Sequence, residues 1–321
     1  MYFRTIITVA TCAVGLAAGA AHSQVTLSAA SAFPEGHLFS VQFERMIKEF
    51  NETHGDEIVI DYKGGAPAIG SPFTLGERLQ AGQFDMLNNT GPYYETVVPV
   101  ALALILTEVP MEELRETDWM AAMQEAHQAR GLHYLGKTIQ NAPFHLYLRE
   151  SIEAADLTGL RLRVAPHYQP FFSSLGATTM RANLAEVYTM IENGSIDGFG
   201  WPIIGFLPDW LNITKYRVDP GFYDTDLNVV MNLESWNGLS DAHKSLVDEM
   251  VQKYEADSAK IVGGWVEEAR ATMEEAGIET LTFDPDEEAK WSKAAVETAW
   301  ETVMSRDPEI GARLRAAAGG E

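Results

Sequence analysis

The sequence predicts an α/β protein whose chain builds two domains joined by several short crossings. Predicted strands alternate with amphipathic helices, an order typical of α/β proteins. About 298 residues remain once residues 1–23 are set aside, a length that indicates two domains and a large core. No internal repeat and no low-complexity linker divides the chain. The two domains are therefore expected to share crossings rather than to follow each other like beads on a string.

The first part of the chain predicts a β–α–β–α–β order with short loops. Residues 38–50 place apolar side chains at helical spacing, whereas residues 57–62 alternate in the manner of a strand. The predicted strands are 25–31, 57–62 and 84–88, and the predicted helices are 37–50, 75–81 and 118–130.

The second part continues the alternation. Residues 157–202 predict a strand, a helix, a short strand, a helix and a final strand at 195–199. Ser240 begins a helical pattern that runs to about residue 276 and is over 50 Å long at ~1.5 Å per residue. This helix is expected to bridge the domains or to kink at Gly263-Gly264. The remaining predicted strands are 131–139, 144–149, 228–233 and 278–283, followed by a helix at 286–305.

Residues 1–23 are typical of a signal peptide. Arg4 precedes an apolar run from Thr5 to Ala18, which is short for a membrane span, and small residues precede a cleavage point before Gln24. An uncleaved anchor is the alternative. Cys12 is the only cysteine and lies in a poor lipoprotein signal, so the mature chain needs no disulfide. We expect an exported protein of a bacterial periplasm.

The chain carries a formal net charge of −23. This charge argues against nucleic acid and anionic membrane surfaces as partners, because both repel an acidic protein. It leaves the charge of a small ligand open, since one buried arginine can hold an anion locally.

Motifs of enzymes are weak or incomplete. Residues 131–138 match G-x4-G-K-[ST], the pattern of a phosphate-binding loop. The residues between the two glycines are Leu, His, Tyr and Leu, which are typical of a strand, and Pro143 stands where the helix after such a loop should lie. Gly198-Phe199-Gly200 lacks the third glycine of a dinucleotide site. The chain has no G-x-S-x-G and no H-E-x-x-H, and His133 and His145 are interpreted as structural residues. We expect a protein that is not an enzyme and uses no cofactor or metal.

Arg163 is the residue that points most directly to a ligand. It lies in a predicted buried strand, where a guanidinium is costly unless an anion meets it, and its forked geometry fits a carboxylate. Asn89 and Thr90 follow another strand, and Trp201 follows a third, at the strand ends where open α/β sheets bind ligands. The alternatives are a structural ion pair for Arg163, core packing for Trp201 and a turn cap for Asn89.

Several segments, taken in order, resemble the periplasmic substrate-binding proteins of tripartite ATP-independent periplasmic (TRAP) transporters, the DctP family. The most specific is L-x-G-L-R-L-R-V, then L-G-A, E-V-Y and G-x-I-D-G, in residues 157–198. Supporting segments are 25–36, 62–65, 79–86, 89–92 and 232–236.

The resemblance implies two α/β domains around a central cleft, joined by hinge strands and a domain-spanning helix. After the signal peptide (1–23), the first domain would comprise residues 24–140 and 227–268, and the second residues 141–226 and 269–321. It also implies that Arg163 pairs with a ligand carboxylate and that the protein works with the small and large TRAP permease subunits. We expect the protein to be a monomer.

The sequence departs from the family where selectivity is set. Many members have Q-E-N where this chain has Phe199-Gly200-Trp201, and sialic-acid-type members carry a second arginine near the position of Phe144. We therefore predict a monocarboxylate with an apolar or aromatic body. The predicted ligand-binding residues are Arg163, Trp201, Phe144, Asn89, Thr90, Phe33 and Asn183. The alternatives are a binding module of an ATP-cassette or sensory system, and a periplasmic enzyme on a similar scaffold.

Overall fold

The structure is a computed structural model that describes residues 24–107, 109–182 and 186–319. The predicted signal peptide and Asn183 lie outside the described residues. Within the described part, two separate β-sheets are each covered by helices, so the predicted α/β class is confirmed.

The first sheet has five strands and is built mainly from the first part of the chain. β1 (Val25–Ser31) runs parallel to β2 (Ile58–Gly65) and to β3 (Met86–Asn89). β10 (Leu227–Asn232) is antiparallel to β3 and to β4 (Leu132–Ile139). Every residue of β3, β4 and β10 is buried, as expected for strands covered on both faces. In spatial order the strands are β2 (Ile58–Gly65), β1 (Val25–Ser31), β3 (Met86–Asn89), β10 (Leu227–Asn232) and β4 (Leu132–Ile139).

The second sheet has six strands. β6 (Arg161–Val164) is parallel to β7 (Thr178–Arg181) and to β8 (Gly198–Pro202). β5 (Phe144–Leu148) is antiparallel to β8 and to β9 (Tyr216–Asp219). β11 (Glu279–Thr282) is parallel to β9. The strand predicted at 195–199 lies at 198–202, because the Asn193 side chain accepts from the Ser195 N–H and holds those residues in a turn. In spatial order the strands are β11 (Glu279–Thr282), β9 (Tyr216–Asp219), β5 (Phe144–Leu148), β8 (Gly198–Pro202), β6 (Arg161–Val164) and β7 (Thr178–Arg181).

Ten α-helices cover the faces of the sheets in the described part of the chain. Several begin at side-chain caps: the Ser240 hydroxyl accepts from the His243 N–H, and Asp284 accepts from two backbone N–H groups. They are α1 (Leu38–His54), α2 (Leu75–Gln80), α3 (Met111–Leu114), α4 (Asp118–Gln128), α5 (Gln169–Ser174), α6 (Val187–Glu192), α7 (Leu233–Gly238), α8 (Asp241–Glu275), α9 (Pro285–Arg306) and α10 (Pro308–Ala317).

Two chain crossings connect the sheets, one between β4 and β5 and one between β9 and β10. They are hydrogen-bonded to each other. The Asp224 carboxylate accepts from the backbone N–H of Asn141 at 2.7 Å and of Ala142 at 2.6 Å, and Thr225 donates from both its N–H and its hydroxyl to the Ala142 carbonyl. The two crossings thus form one ribbon, which we call the hinge ribbon.

Helix α8 is a third connection and runs unbroken through Gly263-Gly264 for 35 residues. Its first half packs on β4, where Val251 joins the core of the first sheet, and its second half reaches the core of the second sheet through Val262 and Met273. The predicted bridging helix is therefore present, without a break at the glycines.

A buried ion pair fastens α8 to the first sheet. Glu255 is only 4% exposed and accepts from Arg115 Nε at 2.6 Å and Nη2 at 3.0 Å, and from the backbone N–H of Lys137 at 3.1 Å. A side chain on Gly136 would meet the Glu255 carboxylate, so the glycine makes room for this contact.

The C-terminal helices lie against both parts of the molecule. α9 packs on α5, and α10 packs on α4, where Arg313 pairs with Asp118 and Glu125. The assignment of residues 269–321 to the second domain stays a prediction. Among the described helices, none combines the length and the apolarity that crossing a membrane requires.

Candidate functional site

A cavity lies between the two sheets, beside the hinge ribbon, and is lined by residues of both. The volume open to the centres of water-sized molecules is ≈ 40 Å³. The lining residues are Phe33, Phe39, Thr90, Tyr93, Phe144, Arg163, Ala165, His167, Tyr168, Trp201, Pro202, Thr225, Asp226 and Leu227.

Arg163 supplies the positive charge of the cavity. It lies on β6 between Met180 of β7 and Phe199 of β8 and is 7% exposed. Its Nε donates to the Ala182 carbonyl at 3.0 Å and its Nη1 to the Tyr168 hydroxyl at 3.1 Å. Across the ranges that the structure describes, no ion pair joins Arg163 to a carboxylate. A guanidinium buried with neutral partners alone is costly, so the site is suited to an anion.

Tyr168 holds the guanidinium in place. Its hydroxyl accepts from Arg163 and donates to the Gly200 carbonyl at 2.8 Å, so both of its main hydrogen-bonding functions are used within the protein. A Cβ at position 200 would lie 2.7 Å from Cε2 of Tyr168. The glycine therefore permits the tyrosine ring to lie against β8.

The first sheet contributes a buried acid to the opposite wall. Asp226 accepts from the Thr90 hydroxyl at 2.6 Å, from the Gly91 N–H at 2.9 Å and from the Asn228 amide. Burial raises the pKa of Asp226, whereas the buried Lys137 ammonium and these donors oppose that rise. The Lys137 Nζ itself donates to the Leu104 carbonyl at 2.7 Å.

Aromatic rings form most of the remaining surface. On the side of the first sheet, Phe33 stacks on Tyr93 at 5.8 Å and meets Phe39 edge-on at 5.0 Å. On the other side are Phe144 and Trp201, whose indole N–H donates to a backbone carbonyl. Trp201 also packs against Phe39 at 6.5 Å, so rings of the two walls come close to each other.

Two further titratable groups of the cavity are neutral near pH 7. Burial, with the Arg163 charge as a second cause, lowers the pKa of His167 to about 3, and its Nε2 has no partner among the described residues. Burial raises the pKa of Tyr93 to about 12, although the positive charge of Arg163 opposes the shift. Arg163 is thus the one cationic side chain among the lining residues at neutral pH.

Five of the seven predicted site residues line this cavity: Arg163, Trp201, Phe144, Thr90 and Phe33. Asn89 is fully buried beside it, where its Oδ1 accepts from the Thr90 N–H at 2.9 Å and its Nδ2 has no partner among the described residues. Asn183 belongs to the stretch 183–185 that the structure does not describe. Trp201 lies within β8 rather than after it.

Tyr168, Tyr93 and Asp226 are site residues that the sequence did not predict. One signal was available for Tyr168. Gly200 lies between Phe199 and Trp201 in a buried strand, and a glycine in such a place indicates that another group, here the Tyr168 ring, approaches closely. Tyr93 follows the turn that begins at Asn89. Asp226 carries no sequence signal of its own, since its role depends on a contact with Thr90 at a separation of 136 residues.

The residues that matched a phosphate-binding loop form β4 instead. Lys137 is 1% exposed and bonded to a backbone carbonyl, so it has no free ammonium to offer a phosphate. Within the described ranges, no group of three or more His, Cys, Asp or Glu residues could hold a metal ion.

Comparison with known proteins places these features in a family. Residues 30–307 match the family model DctP, bacterial extracellular solute-binding protein, family 7. A solute-binding protein of Roseobacter denitrificans is 25% identical over 201 residues, which are 59% of this chain. That match spans 60% of the length of the Roseobacter protein.

Solved structures share the fold. A TRAP periplasmic solute-binding protein of Ochrobactrum anthropi, with a C-terminus bound in its ligand-binding pocket, superposes with a TM-score of 0.80 at 19% identity, covering 92% of this chain and 95% of the other. One of Desulfovibrio salexigens with bound orotic acid has a TM-score of 0.79 at 16% identity, covering 92% and 98%. These similarities confirm the predicted two-domain architecture.

Proposed function

The chain belongs to the DctP family of bacterial extracellular solute-binding proteins, and on this premise we propose that it is an extracytoplasmic receptor for an organic monocarboxylate. Its ligand would bind through Arg163 and be delivered to a TRAP-type membrane permease of a small and a large subunit. Proteins of this family are solute receptors rather than enzymes, and we extend that role, and a periplasmic location, to this chain.

One observation carries the proposal: Arg163 is buried in the cavity, and its hydrogen-bond partners among the described residues are a carbonyl and a hydroxyl rather than a carboxylate. A ligand carboxylate would compensate the charge that the protein leaves uncompensated. A charge-assisted pair of this kind is stronger in a site from which water is excluded.

The rest of the cavity supports one carboxylate and an apolar body. Asp226 adds negative charge to the far wall, so a second carboxylate there would meet repulsion rather than a cation. Phe33, Phe144 and Trp201 offer ring surface to an apolar body. Sugar acids and dicarboxylates, which need several polar anchors, fit this lining poorly.

Binding and transport are linked through closure of the cleft. A ligand that touches both walls favours the closed form only through contacts that the open form lacks. The cavity beside the hinge ribbon would provide such contacts, because Thr90 follows β3 of the first sheet whereas Arg163 lies on β6 of the second. The permease would then recognise the closed, loaded receptor.

A thermal-shift screen of organic acids on the mature protein tests the proposal. A ligand at 100 times its Kd stabilises a protein by about 2.7 kcal/mol, which corresponds to a shift of about 4 °C at an unfolding entropy of ~2.1 cal/mol/K per residue. We expect shifts with monocarboxylates and none with Arg163→Ala. Arg161→Ala is the matched control, because Arg161 lies two residues away on β6 but faces solvent and pairs with Asp197.

Three results would refute parts of the proposal. Equal shifts in the parent protein and Arg163→Ala would remove the arginine from the site. Tight binding of sugar acids or dicarboxylates alone would exclude the monocarboxylate. Turnover of a bound acid by the purified protein would make it an enzyme.

A further inference from the structure

We propose that the ligand is a short monocarboxylate that also carries a hydrogen-bond donor, a hydroxyl or an ammonium group, and that the Thr90 hydroxyl oxygen accepts from it. This inference rests on the proposed function and adds the polarity of the ligand's second group.

The direction of one hydrogen bond carries the argument. The Thr90 Oγ1 lies 2.6 Å from Oδ1 of Asp226 and donates to it. A hydroxyl has a single hydrogen, and this bond uses it. The Thr90 oxygen can therefore act only as an acceptor toward any other partner. Toward the cavity, Thr90 is therefore an acceptor and not a donor.

The hydrogen-bond partners of Asp226 stabilise its carboxylate form, which only accepts. Its Oδ2 accepts from the Gly91 N–H at 2.9 Å and from the Asn228 amide, and the buried Lys137 ammonium adds a favourable charge. Burial raises the pKa of Asp226, and these donors and the Lys137 charge oppose that rise because they stabilise the carboxylate rather than the acid. If Thr90 turned its hydrogen toward a ligand, Asp226 would lose one of its hydrogen-bond donors.

The two walls thus differ in polarity. Arg163 presents donors only, whereas Thr90 presents an acceptor with a negative charge behind it. A ligand with acceptors at both ends, such as a dicarboxylate, would set an acceptor against Thr90. A ligand with a carboxylate at one end and an O–H or N–H group near the other satisfies both walls.

The dimensions of the cavity favour a short ligand. Only ≈ 40 Å³ is open to the centres of water-sized molecules, so the space between the two walls is narrow. A body of a few carbon atoms would suit that space, which Phe144 and Trp201 help to line. Hydroxy and amino acids of three or four carbons are the class that these limits describe.

Calorimetric titration with matched three-carbon acids tests the inference. The probes are propionate, lactate, 3-hydroxypropionate and alanine, each titrated into the parent protein, Thr90→Val and Thr90→Ser. In the parent we expect at least one donor-bearing acid to bind tenfold or more tightly than propionate. Valine keeps the shape of threonine but lacks the acceptor, so this ratio should fall to within about threefold in Thr90→Val. Serine keeps the hydroxyl, so Thr90→Ser should preserve the ratio.

The controls separate this inference from the proposed function. Unfolding of each variant without ligand shows that the fold is intact. Failure of every monocarboxylate to bind the parent protein would overturn the proposed function itself. Binding of propionate as tight as that of all three analogues, or an unchanged ratio in folded Thr90→Val, would overturn the inference while leaving the Arg163 anchor in place. Preference for lactate or 3-hydroxypropionate would identify the donor as a hydroxyl, and preference for alanine as an ammonium.

Discussion

The hydroxyl of Tyr168 lies 3.1 Å from Nη1 of Arg163, five residues earlier in the chain. This contact connects the one cation of the cavity to a rigid part of the second sheet, because the same hydroxyl donates to a carbonyl of β8. The direction of the guanidinium is thus determined by a neutral residue, and its charge stays available for a ligand. Affinity should therefore depend on Tyr168 as well as on Arg163.

Replacing Tyr168 with phenylalanine should weaken monocarboxylate binding about tenfold, or ~1.4 kcal/mol, because the guanidinium loses an acceptor that orients it. The ring remains, so the packing is retained. Tyr147→Phe is the matched control: the Tyr147 hydroxyl is buried without a partner among the described residues, and its removal should not lower stability. Calorimetry and urea unfolding measure both effects, and unchanged affinity in Tyr168→Phe would contradict the orienting role.

Gly200→Ala should lower both stability and affinity. The added Cβ would lie 2.7 Å from the Tyr168 ring, and overpacking of this kind costs about 1–3 kcal/mol. Gly263→Ala provides the contrast, since nothing lies within 4 Å of its Cβ and alanine is the better helix former by about 1 kcal/mol. Unfolding in urea should show opposite signs for the two variants. Equal stability of Gly200→Ala and the parent would mean that the tyrosine moves away at no cost.

Glu255→Ala should destabilise the fold by about 3–5 kcal/mol, because it leaves the Arg115 guanidinium partly buried without its carboxylate. Glu49→Ala removes a carboxylate from an exposed pair with Lys253 and should change stability by less than about 1 kcal/mol. Denaturant unfolding of the two variants gives the comparison. A loss below 1 kcal/mol in Glu255→Ala would show that α8 does not depend on this contact.

Acid should destabilise the protein through buried histidines. Burial lowers the pKa of His127 to about 4 and that of His133 to about 4, from an ordinary value of 6.5. Between pH 4 and pH 6.5 these histidines bind protons in the unfolded chain but not in the folded chain. The free energy of unfolding therefore falls as the pH is lowered from 6.5 toward 4. For His127 the loss is on the order of 3 kcal/mol at 1.36 kcal/mol per unit.

The test compares His127→Gln with the parent from pH 7 to pH 4.5 by urea unfolding. A comparison is needed because burial raises the pKa of Asp224 to about 6, which acts in the opposite direction. The parent should lose more stability than the variant as the pH falls. Identical pH dependence of the two proteins would show that His127 takes up its proton in the folded state.

The sequence predicted the elements well because their patterns are local. β1 has the predicted bounds, and the long helix from Ser240 begins and ends within one residue of its prediction. Strand β9 was missed: four residues between loops, Tyr216–Asp219, carry too little periodicity to stand out. Helix α10, which begins at Pro308, was also missed, although proline at the first turn of a helix is a known start signal.

The site was predicted less completely because its polar arrangement is tertiary. Arg163 could be identified from a cation in an apolar strand, a signal within one segment. The carboxylate that orients Thr90 belongs to Asp226, which lies just before β10 and 136 residues further along the chain. No local pattern records which hydroxyl donates to which carboxylate, so the polarity of the cavity wall emerges only from the fold.

The hinge ribbon has a consequence for the entropy of binding. Two separate tethers would let the halves of the molecule twist and slide independently, and a ligand that joins them would have to suppress each of those motions. Because Asp224 and Thr225 bond the two crossings to each other, these crossings are constrained to bend together. A ligand that joins the two halves would then have to suppress fewer relative motions, which favours binding of the short ligand that we propose.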